Sequence, residues 1–329
     1  SKKAGIALFV TTAVIMAVLI VFHKNPGPAA DPGQELAKKI ISCVVIAAAC
    51  VAFIHWYDKF TGLPVELFQN RHLIWKLAKN DFKKRYAGSY LGAVWAMAQP
   101  VVTVAMYYIV FDKIMGNTST PLREGVEVPF VLFLTAGLVP WFYFSEALNN
   151  GTNALLEYNY LVKKVVFKIS ILPIIKIIAA TFIHVFFVLF MLFLFALYGY
   201  YPGLHTLWVV YFSACLLIFV TGVCMLTSSL VIFFRDLTQI INIFLQVGIW
   251  MTPIMWSLED LLAKYPILMV LKLNPLCYIV YGYRAVLFQT GSVASLGWMN
   301  IYFWAVTIVT WIVGSGVFRR LKVHFADVL

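Results

Sequence analysis

Charged residues are scarce in this sequence. Of 329 residues only 12% are Asp, Glu, Lys or Arg, whereas 62% are hydrophobic. Soluble domains carry about 25% charged residues, so the composition excludes an ordinary water-soluble globular protein. Several apolar runs approach or exceed about eighteen residues, the length that a membrane-spanning helix needs. The sequence therefore predicts an all-α polytopic membrane protein.

Motifs that would mark an enzyme are also missing. The sequence has no G-x-x-x-x-G-K-[ST] phosphate loop, no H-E-x-x-H and no G-x-S-x-G. Its five cysteines include no C-x-x-C pair, which argues against a zinc site or a disulfide framework. The only adjacent acidic pair, Glu259-Asp260, is interpreted as a turn or helix-start feature. We therefore expect this chain to hold no catalytic residue, cofactor or metal.

Eight apolar runs are counted as spans. They are Ala4–Phe22, Ile40–Trp56, Tyr90–Phe111, Pro129–Phe144, Ile174–Tyr198, Leu207–Phe234, Ile240–Trp256 and Ile301–Phe318. With the N-terminus inside, 17 of the 25 basic residues lie in cytoplasmic segments and 8 in outer ones. Because short loops rich in Lys and Arg stay inside, both termini are predicted to be cytoplasmic. The net charge of +11 then reflects topology and attraction to anionic lipids, and we expect no nucleic-acid partner.

The first run also fits a signal peptide, because Lys2 and Lys3 precede it and Pro28-Ala29-Ala30 follow it. Its apolar core of about nineteen residues is longer than the usual core of a signal peptide, so we interpret it as a retained span. In either case the second run enters from outside, and the downstream orientation is unchanged.

A polar stretch of about thirty residues precedes the third run and ends in the basic triplet Lys83-Lys84-Arg85. At 100° per residue, a helix here has one apolar side and one basic side. The apolar side contains Leu73, Ile74, Leu77, Ala78 and Phe82, and the basic side contains His72, Lys76, Lys79 and Lys83. Arg71 and Asp81 break this pattern. Such basic amphipathic helices lie in membrane interfaces, and we expect one over 61–89. The triplet either anchors the helix end on anionic lipid or meets an anionic lipid-linked substrate.

A second cytoplasmic segment follows the fourth run. Asn149 to Asn153 predict a turn, and Asn153 is a candidate cap for a short helix with contacts from Leu155, Leu156, Tyr158 and Leu161. This helix either transmits force to a partner or is an ordinary interfacial loop helix.

On the outer side, "PILMVLKL" and "PLCYIVYGYRAVLF" are apolar but too short to cross a membrane, and Asn274-Pro275 predicts a turn between them. We expect a re-entrant helical hairpin near 258–290. The guanidinium of Arg284 in this hairpin is expected to extend to the outer membrane interface or to bind a substrate phosphate.

The middle of the third to eighth runs holds no ionisable residue of the kind that an ion-coupled carrier keeps there, except His184, which has either a structural or a transport role. Neutral Gln99, Asn242 and Gln246 fit packing or a polar lining equally well. Aromatic residues make up 16% of the chain and suit either an interfacial belt or a sugar-binding lining. The candidates for such a lining are Tyr107, Tyr108, Phe111, Phe244, Trp250 and Trp256.

The order of these parts resembles a known family. The matching stretches are R-Y-x-G-S-x-L-G-x-x-W-x-x-x-x-P at Arg85–Pro100, then "LTAGLVPWFYFSEAL", "FFRDLTQI", "WMTPIMW", "LNPLCYIVYGYRAVLF" and the C-terminal "FADVL". They cover residues 67–329 and resemble the membrane subunit of ABC-2 type exporters of polysaccharides, O antigens and wall teichoic acids. The resemblance implies six core transmembrane helices over 90–329, and residues 1–60 add two further ones outside the pattern.

The same resemblance implies a homodimer in the bacterial cytoplasmic membrane, bound to two copies of a separate ATPase subunit that holds ATP and Mg. A polyprenyl-diphosphate-linked glycan would pass between the two protomers. The segment 153–168 would be the coupling helix, with Asn153, Leu155, Leu156, Glu157, Tyr158 and Leu161 facing the ATPase. The expected diphosphate contacts at a cytoplasmic gate are Lys83, Lys84, Arg85 and Tyr86. The expected channel aromatics are Tyr107, Tyr108, Phe111, Trp250 and Trp256.

Two other functions remain open on sequence grounds. An ion-gradient-driven flippase or carrier of lipid-linked glycans would rely on His184, and a membrane-embedded transferase would need Glu259 or Asp260. The absence of charge in the middle of the spans and of catalytic clusters disfavours both. Nothing in the sequence separates O antigen from teichoic acid as the cargo.

Overall fold

The computed structural model divides the chain into two compact units, Ser1–Gln69 and Asn70–Leu329. The residues that it describes are 2–22, 39–40, 43–44, 46–47, 50–51, 54–55, 57–85, 90, 92, 94–116, 119–123, 126–162, 168–262 and 265–328.

The first unit contains helix α1, Lys2–Phe22, and helix α2, Tyr57–Gln69. Helix α1 has 21 residues and coincides with the first predicted span. The second predicted span lies in part outside the described residues. The stretch expected as one interfacial helix over 61–89 contains parts of two helices, because α2 ends at Gln69 and helix α3, Arg71–Arg85, begins after a turn residue at Asn70. Asparagine favours such turns. The location of this stretch at a membrane interface stays a prediction.

The described residues of the second unit are mainly helical and include one small hairpin. Its longer helices are α3, α4 (Val94–Tyr107, continued by a π-helical turn Tyr108–Ile114), α5 (Phe130–Glu157), α7 (Leu172–Leu197), α8 (Trp208–Val231), α9 (Leu237–Met251), α11 (Pro275–Leu287) and α12 (Trp298–Leu321). Short helices are α6 (Asn159–Val162), α10 (Leu258–Leu262) and α13 (Phe325–Val328), with 3-10 turns at Ile169–Ile171, Leu204–Leu207, Pro266–Leu273, Val293–Leu296 and Lys322–His324. Strands β1 (Ser119–Arg123) and β2 (Val126–Pro129) pair antiparallel, with Thr120 opposite Val128.

Within the described residues, four helical stretches are long and apolar enough to cross a membrane: Phe130–Glu157, Ile169–Leu197, Leu204–Val231 and Trp298–His324. A fifth is formed if Pro266–Leu273 and Pro275–Leu287 count as one broken span, since they meet at 94°. Multi-pass membrane insertion therefore agrees with the structure, whereas the count of eight stays a prediction.

Two predicted boundaries are wrong. Helix α5 continues through Asn149–Asn153, where a turn was expected, because these amides bond along the helix: Asn153 Nδ2 donates to the Asn149 carbonyl at 2.9 Å. Side-chain bonds to a carbonyl one turn earlier let polar residues remain within a helix. Helix α9 ends at Met251 rather than Trp256, which makes it shorter than a full span.

Helix α5 is the centre of the bundle. Leu132, Leu134, Ala136 and Leu138 are fully buried, and so are most residues between and after them. The helix contacts α7, α8, α9 and α11. A helix that is apolar and buried on every side belongs to the interior of a bundle, so α5 positions the others.

Helix α3 packs against α7 through the face that the sequence predicts. Ile74 and Ala78 are buried, whereas Leu73 is 41% exposed. Asp81, which breaks the apolar pattern, is also buried. A buried carboxylate requires partners, and these partners build the candidate site.

The bend at Asn274 lies where the sequence predicts a turn. Asn274 Oδ1 accepts from the Leu276 amide at 3.0 Å, and its Nδ2 donates to Thr252 Oγ1 at 2.9 Å. Pro275 follows as the first residue of α11, where its missing N–H costs nothing. The side chain of Asn274 therefore begins α11 and fastens it to the end of α9.

Helices α8 and α12 approach closely through glycines. A methyl group at Gly314 would collide with the Gly222 carbonyl oxygen and lie 3.2 Å from the Leu226 nitrogen. At Gly316, two positions on, it would meet nothing within 4 Å. Small residues allow this kind of backbone contact between membrane helices.

We expect Gly314→Ala to lower the free energy of unfolding by about 1–3 kcal/mol, since backbone atoms cannot rotate away from the added methyl group. The matched control Gly316→Ala should be neutral or slightly stabilising. Thermal unfolding in detergent micelles measures both, and equal melting temperatures would contradict the close packing of α8 on α12.

Candidate functional site

Lys176 carries a buried positive charge near the start of α7. Its Nζ donates to Asp81 Oδ1 at 2.8 Å and also to Glu157 Oε2, and it lies 4.9 Å from the centre of the Tyr158 ring. The Tyr158 hydroxyl donates to the same Asp81 oxygen. Burial, together with this bond, raises the pKa of Tyr158, which keeps the hydroxyl protonated as a donor. Helix α3, the end of α5 and the start of α7 therefore meet at one ammonium group.

Arg85 extends the same network. Its Nη1 donates to Glu146 Oε1 at 2.6 Å, and its Nη2 lies 3.5 Å from Asp81 Oδ2. We name Asp81, Arg85, Glu146, Glu157 and Lys176 the charge cluster. It holds three carboxylates and two cations. Arg85, predicted to meet a diphosphate, thus already lies between two carboxylates.

The other predicted gate residues lie beside the charge cluster or beyond the described residues. Lys83 and Lys84 are exposed at the C-terminal end of α3. Tyr86 lies outside the described residues. Lys83 and Lys84 therefore present the accessible positive charge at this end of the helix, and their contact with a substrate stays a prediction.

Two cavities adjoin the charge cluster. The charged cavity, of about 440 Å³, is lined by Asp81, Lys84, Arg85, Asn150, Glu157 and Lys176. The polar–aromatic cavity, of about 490 Å³, is lined by Arg85, Trp95, Pro100, Phe142, Tyr143, Ser145, Glu146, Asn149, Asn150, Ile183, His184 and Phe187. Because Arg85 and Asn150 belong to both linings, the Arg85–Glu146 ion pair lies where the two cavities meet.

His184 is buried in the wall of the polar–aromatic cavity. Its Nε2 is within hydrogen-bond distance of Ser213 Oγ at 3.1 Å and Tyr283 Oη at 3.2 Å, and its ring stacks on Tyr143 at 4.4 Å. Its Nδ1 has no partner among the described residues. These bonds join α7, α8 and α11, which fits the structural interpretation of this histidine.

The predicted coupling residues differ in accessibility. Asn153 does not cap a helix, because it lies within α5, where its Oδ1 accepts from Thr238 Oγ1 at 2.9 Å. Leu155 is fully buried, whereas Leu156 and Leu161 are half-buried. Glu157 and Tyr158 contact the charge cluster, and 163–167 lie outside the described residues. The neighbouring Tyr160, which the sequence analysis did not select, is 52% exposed.

The predicted channel aromatics come from α4 with its π-helical turn and from the end of α9 and the residues after it. Tyr107, Tyr108 and Phe111 are half-buried, and Phe111 packs on Phe130 of α5 at 5.3 Å. Trp250 is 60% exposed on α9, with Phe244 exposed on the same helix. Half-buried Trp256 donates from Nε1 to the Trp250 carbonyl at 3.1 Å.

Arg284 does not reach the outer interface, and this expectation is wrong. Its side chain is buried and donates to the carbonyls of Phe133 at 3.2 Å, Pro253 at 2.7 Å and Ile254 at 2.7 Å. Carbonyls after a helix end lack helical partners, and a guanidinium with five donors can satisfy several at once. Arg284 therefore holds the end of α9 against α5 and α11.

Outside the charge cluster, Glu259 accepts from Lys272 Nζ at 3.2 Å, while the side chain of Asp260 lies outside the described part of the chain. The described residues contain no group of three or more His, Cys, Asp or Glu side chains arranged to hold a metal.

Sequence reasoning missed Glu146 and Lys176 as site residues. Lys176 was counted only as a cytoplasmic charge, although it lies four residues after Leu172, the first residue of an apolar helix. The available signal was Asp81 on the apolar face of α3, since a carboxylate there requires a buried cation elsewhere.

Comparison with known proteins identifies the protein family. Residues 72–288, more than half of the chain, match the family described as ABC-2 type transporter. The chain belongs to this family. The O-antigen export system permease protein RfbA of Klebsiella pneumoniae is 28% identical to this ABC-2 chain over 255 residues, 77% of the chain and 93% of the relative. A protein of the same name from Myxococcus xanthus is 28% identical over 266 residues, 80% and 97% respectively. The resemblance drawn from the sequence motifs is confirmed.

We expect Lys176→Met to destabilise the ABC-2 bundle by about 3–5 kcal/mol, because it leaves buried Asp81 without its closest cation. Adding Asp81→Asn should restore part of the loss, since it removes the unpaired charge. Thermal unfolding in nanodiscs measures both variants. The control Lys79→Met alters an exposed lysine of α3 and should change stability by at most about 0.5 kcal/mol. Equal melting temperatures for Lys176→Met and Lys79→Met would rule out a stabilising charge cluster.

Proposed function

We propose that this chain is the transmembrane subunit of an ATP-driven ABC transporter that exports a polyprenyl-diphosphate-linked polysaccharide across the cytoplasmic membrane. The cargo class includes O antigen and teichoic acid. The supporting observation is the family match over 72–288 combined with similarity to O-antigen export permeases over nearly their whole length. A second copy of the chain and two ATPase subunits complete the transporter, and both termini are cytoplasmic.

ATP and Mg belong to the ATPase subunits in this proposal, in keeping with the missing phosphate loop of this chain. The ATPase docks on the segment around α6, where Leu156, Tyr160 and Leu161 offer partly or well exposed apolar and aromatic surface. Through Tyr158 and Glu157, this segment contacts Asp81 and Lys176. When the ATPase displaces α6, the hydrogen bond between Tyr158 and Asp81 transfers the movement to α3 and its basic end.

The glycan passes between the two protomers in this proposal. Helix α9 supports this arrangement, because Ile243, Phe244, Val247 and Trp250 are exposed along it and offer a surface to the second copy or to sugars. Lys83 and Lys84 meet the diphosphate at the cytoplasmic end, with Arg85 and Tyr86 beside them. Tyr107, Tyr108, Phe111, Trp250 and Trp256 line the sugar path.

The docking segment can be tested by co-purification of the ATPase with this chain from cells that express both. We expect a triple variant, Leu156→Ala, Tyr160→Ala and Leu161→Ala, to reduce the bound ATPase at least about tenfold, because it removes the partly exposed apolar contacts. Leu155→Ala is the matched control, since Leu155 is buried and its loss affects packing rather than docking. Wild-type levels of ATPase on the triple variant would exclude this docking surface.

The energy source can be tested in inverted membrane vesicles that carry the transporter and its lipid-linked glycan. We expect transport to stop when the ATPase cannot hydrolyse ATP, and to continue with a protonophore present. His184→Gln should keep transport within about threefold of wild type, because glutamine can still bond Ser213 and Tyr283. If the protonophore and His184→Gln each abolish transport while ATP is present, the ion-driven mechanism replaces this one.

A further inference from the structure

The polar–aromatic cavity is lined by side chains of two kinds. Glu146, Asn149 and Asn150 of α5 are polar, whereas Trp95 of α4 and Phe187 of α7 are aromatic. All of these residues belong to one protomer. Its volume of about 490 Å³ falls within the range of about 300–1,000 Å³ found for small-molecule sites.

The charges in this lining cancel. Arg85 is the only cation of the lining and is paired with Glu146 at 2.6 Å, so the described lining gives a free anion or a free cation no uncompensated partner. An ion entering the cavity would have to compete with that pair, whose side chains are 26% and 27% exposed. The electrostatics therefore favour a neutral occupant.

The carboxamides of the lining offer hydrogen bonds that an acyl chain cannot make. Asn149 and Asn150 both belong to the lining and carry donors and acceptors. Both are half-buried, so part of each side chain remains accessible. A hydroxyl-rich occupant therefore fits this lining better than a hydrocarbon.

The aromatic side chains restrict the shape of the occupant. Trp95 is 55% exposed and belongs to the cavity lining. Aromatic faces stack on the C–H side of a sugar ring while its hydroxyls bond to polar groups around it. A neutral ring with hydroxyls at its edge fits both kinds of side chain.

We propose that the polar–aromatic cavity of each protomer binds one neutral sugar unit of the transported glycan, stacked on Trp95 and bonded by Asn149 and Asn150. The proposal rests on the proposed function for the source of the sugar, and it places a binding site inside the protomer rather than between protomers. The ion pair Arg85–Glu146 closes the site toward the charged cavity, where the charged part of a lipid-linked glycan would remain.

Photocrosslinking in cells that make the glycan tests this site. The photoreactive residue p-benzoylphenylalanine replaces Trp95, an aromatic exchange at a partly exposed position. The same residue replaces Leu189, which is 61% exposed on α7 outside the cavity lining, as a control. A third position, Trp250 on α9, reports on the path between protomers. Mass spectrometry of the adducts separates glycan from phospholipid.

We expect a glycan adduct at position 95 and only phospholipid adducts at position 189. A phospholipid adduct alone at position 95, or no adduct there, overturns the site. If position 250 yields a glycan adduct in that case, the proposed export function stands without this cavity. Failure of the export function would appear separately, as glycan transport that does not need the ATPase.

A second measurement uses a smaller change. Asn149→Leu should raise the concentration of lipid-linked glycan that half-maximally stimulates ATP hydrolysis in nanodiscs by about tenfold. Asn80→Leu changes an exposed asparagine of α3 outside the cavity and should leave that concentration unchanged. Equal half-maximal concentrations for the two variants would contradict a sugar contact at Asn149.

Discussion

The buried ammonium of Lys176 is the constraint on which the polar architecture of the second unit depends. Removing such a charge from water costs several kcal/mol, and the cost is offset only while carboxylates remain in contact with it. Asp81 of α3 and Glu157 of α5 both provide this contact. The three helices therefore cannot separate at this point without leaving the buried ammonium group unpaired. Helix α3 also packs on α7 through buried Ile74 and Ala78, so ionic and apolar contacts act together.

Asp81 connects the buried ammonium group of Lys176 with Arg85, which lines both cavities. It accepts from both Lys176 and Tyr158 and lies 3.5 Å from Arg85, which in turn bonds Glu146. Each carboxylate of the charge cluster contacts at least one of its two cations, so a shift of one side chain changes the electrostatic environment of the next. Low-dielectric surroundings strengthen the buried Asp81–Lys176 pair, and the partly exposed pairs share its two members or their neighbours. Four side chains, Tyr158, Asp81, Arg85 and Glu146, consequently connect the segment around α6 with the place where the two cavities meet.

The sequence predicts those features that depend on local periodicity. The apolar runs predict the long helices, and the 100° pattern predicts the burial of Ile74 and Ala78. It fails where long-range partners decide. Asn149–Asn153 look like a turn in isolation, yet they lie within α5, where Asn153 donates to the Asn149 carbonyl and accepts from Thr238 of α9. Arg284 looks like an interfacial cation, but the carbonyls it satisfies lie more than thirty residues away at Pro253 and farther at Phe133. Likewise, nothing local indicates that Lys176 meets Asp81 across ninety-five positions.

The two carboxylates that contact Arg85 give it a different role from Lys83 and Lys84 in the basic triplet. A phosphate that bound Arg85 would have to replace Glu146 and weaken the contact with Asp81, whereas Lys83 and Lys84 are exposed and can meet an anion without that exchange. Bidentate guanidinium–phosphate bonds are strong enough to compete with a carboxylate. Because Glu146 belongs to α5 and Asp81 also bonds Lys176 of α7, such competition would weaken the contacts of α3 with both helices. The triplet thus divides into two lysines suited to first contact and one arginine whose engagement alters the packing of the helix that carries it.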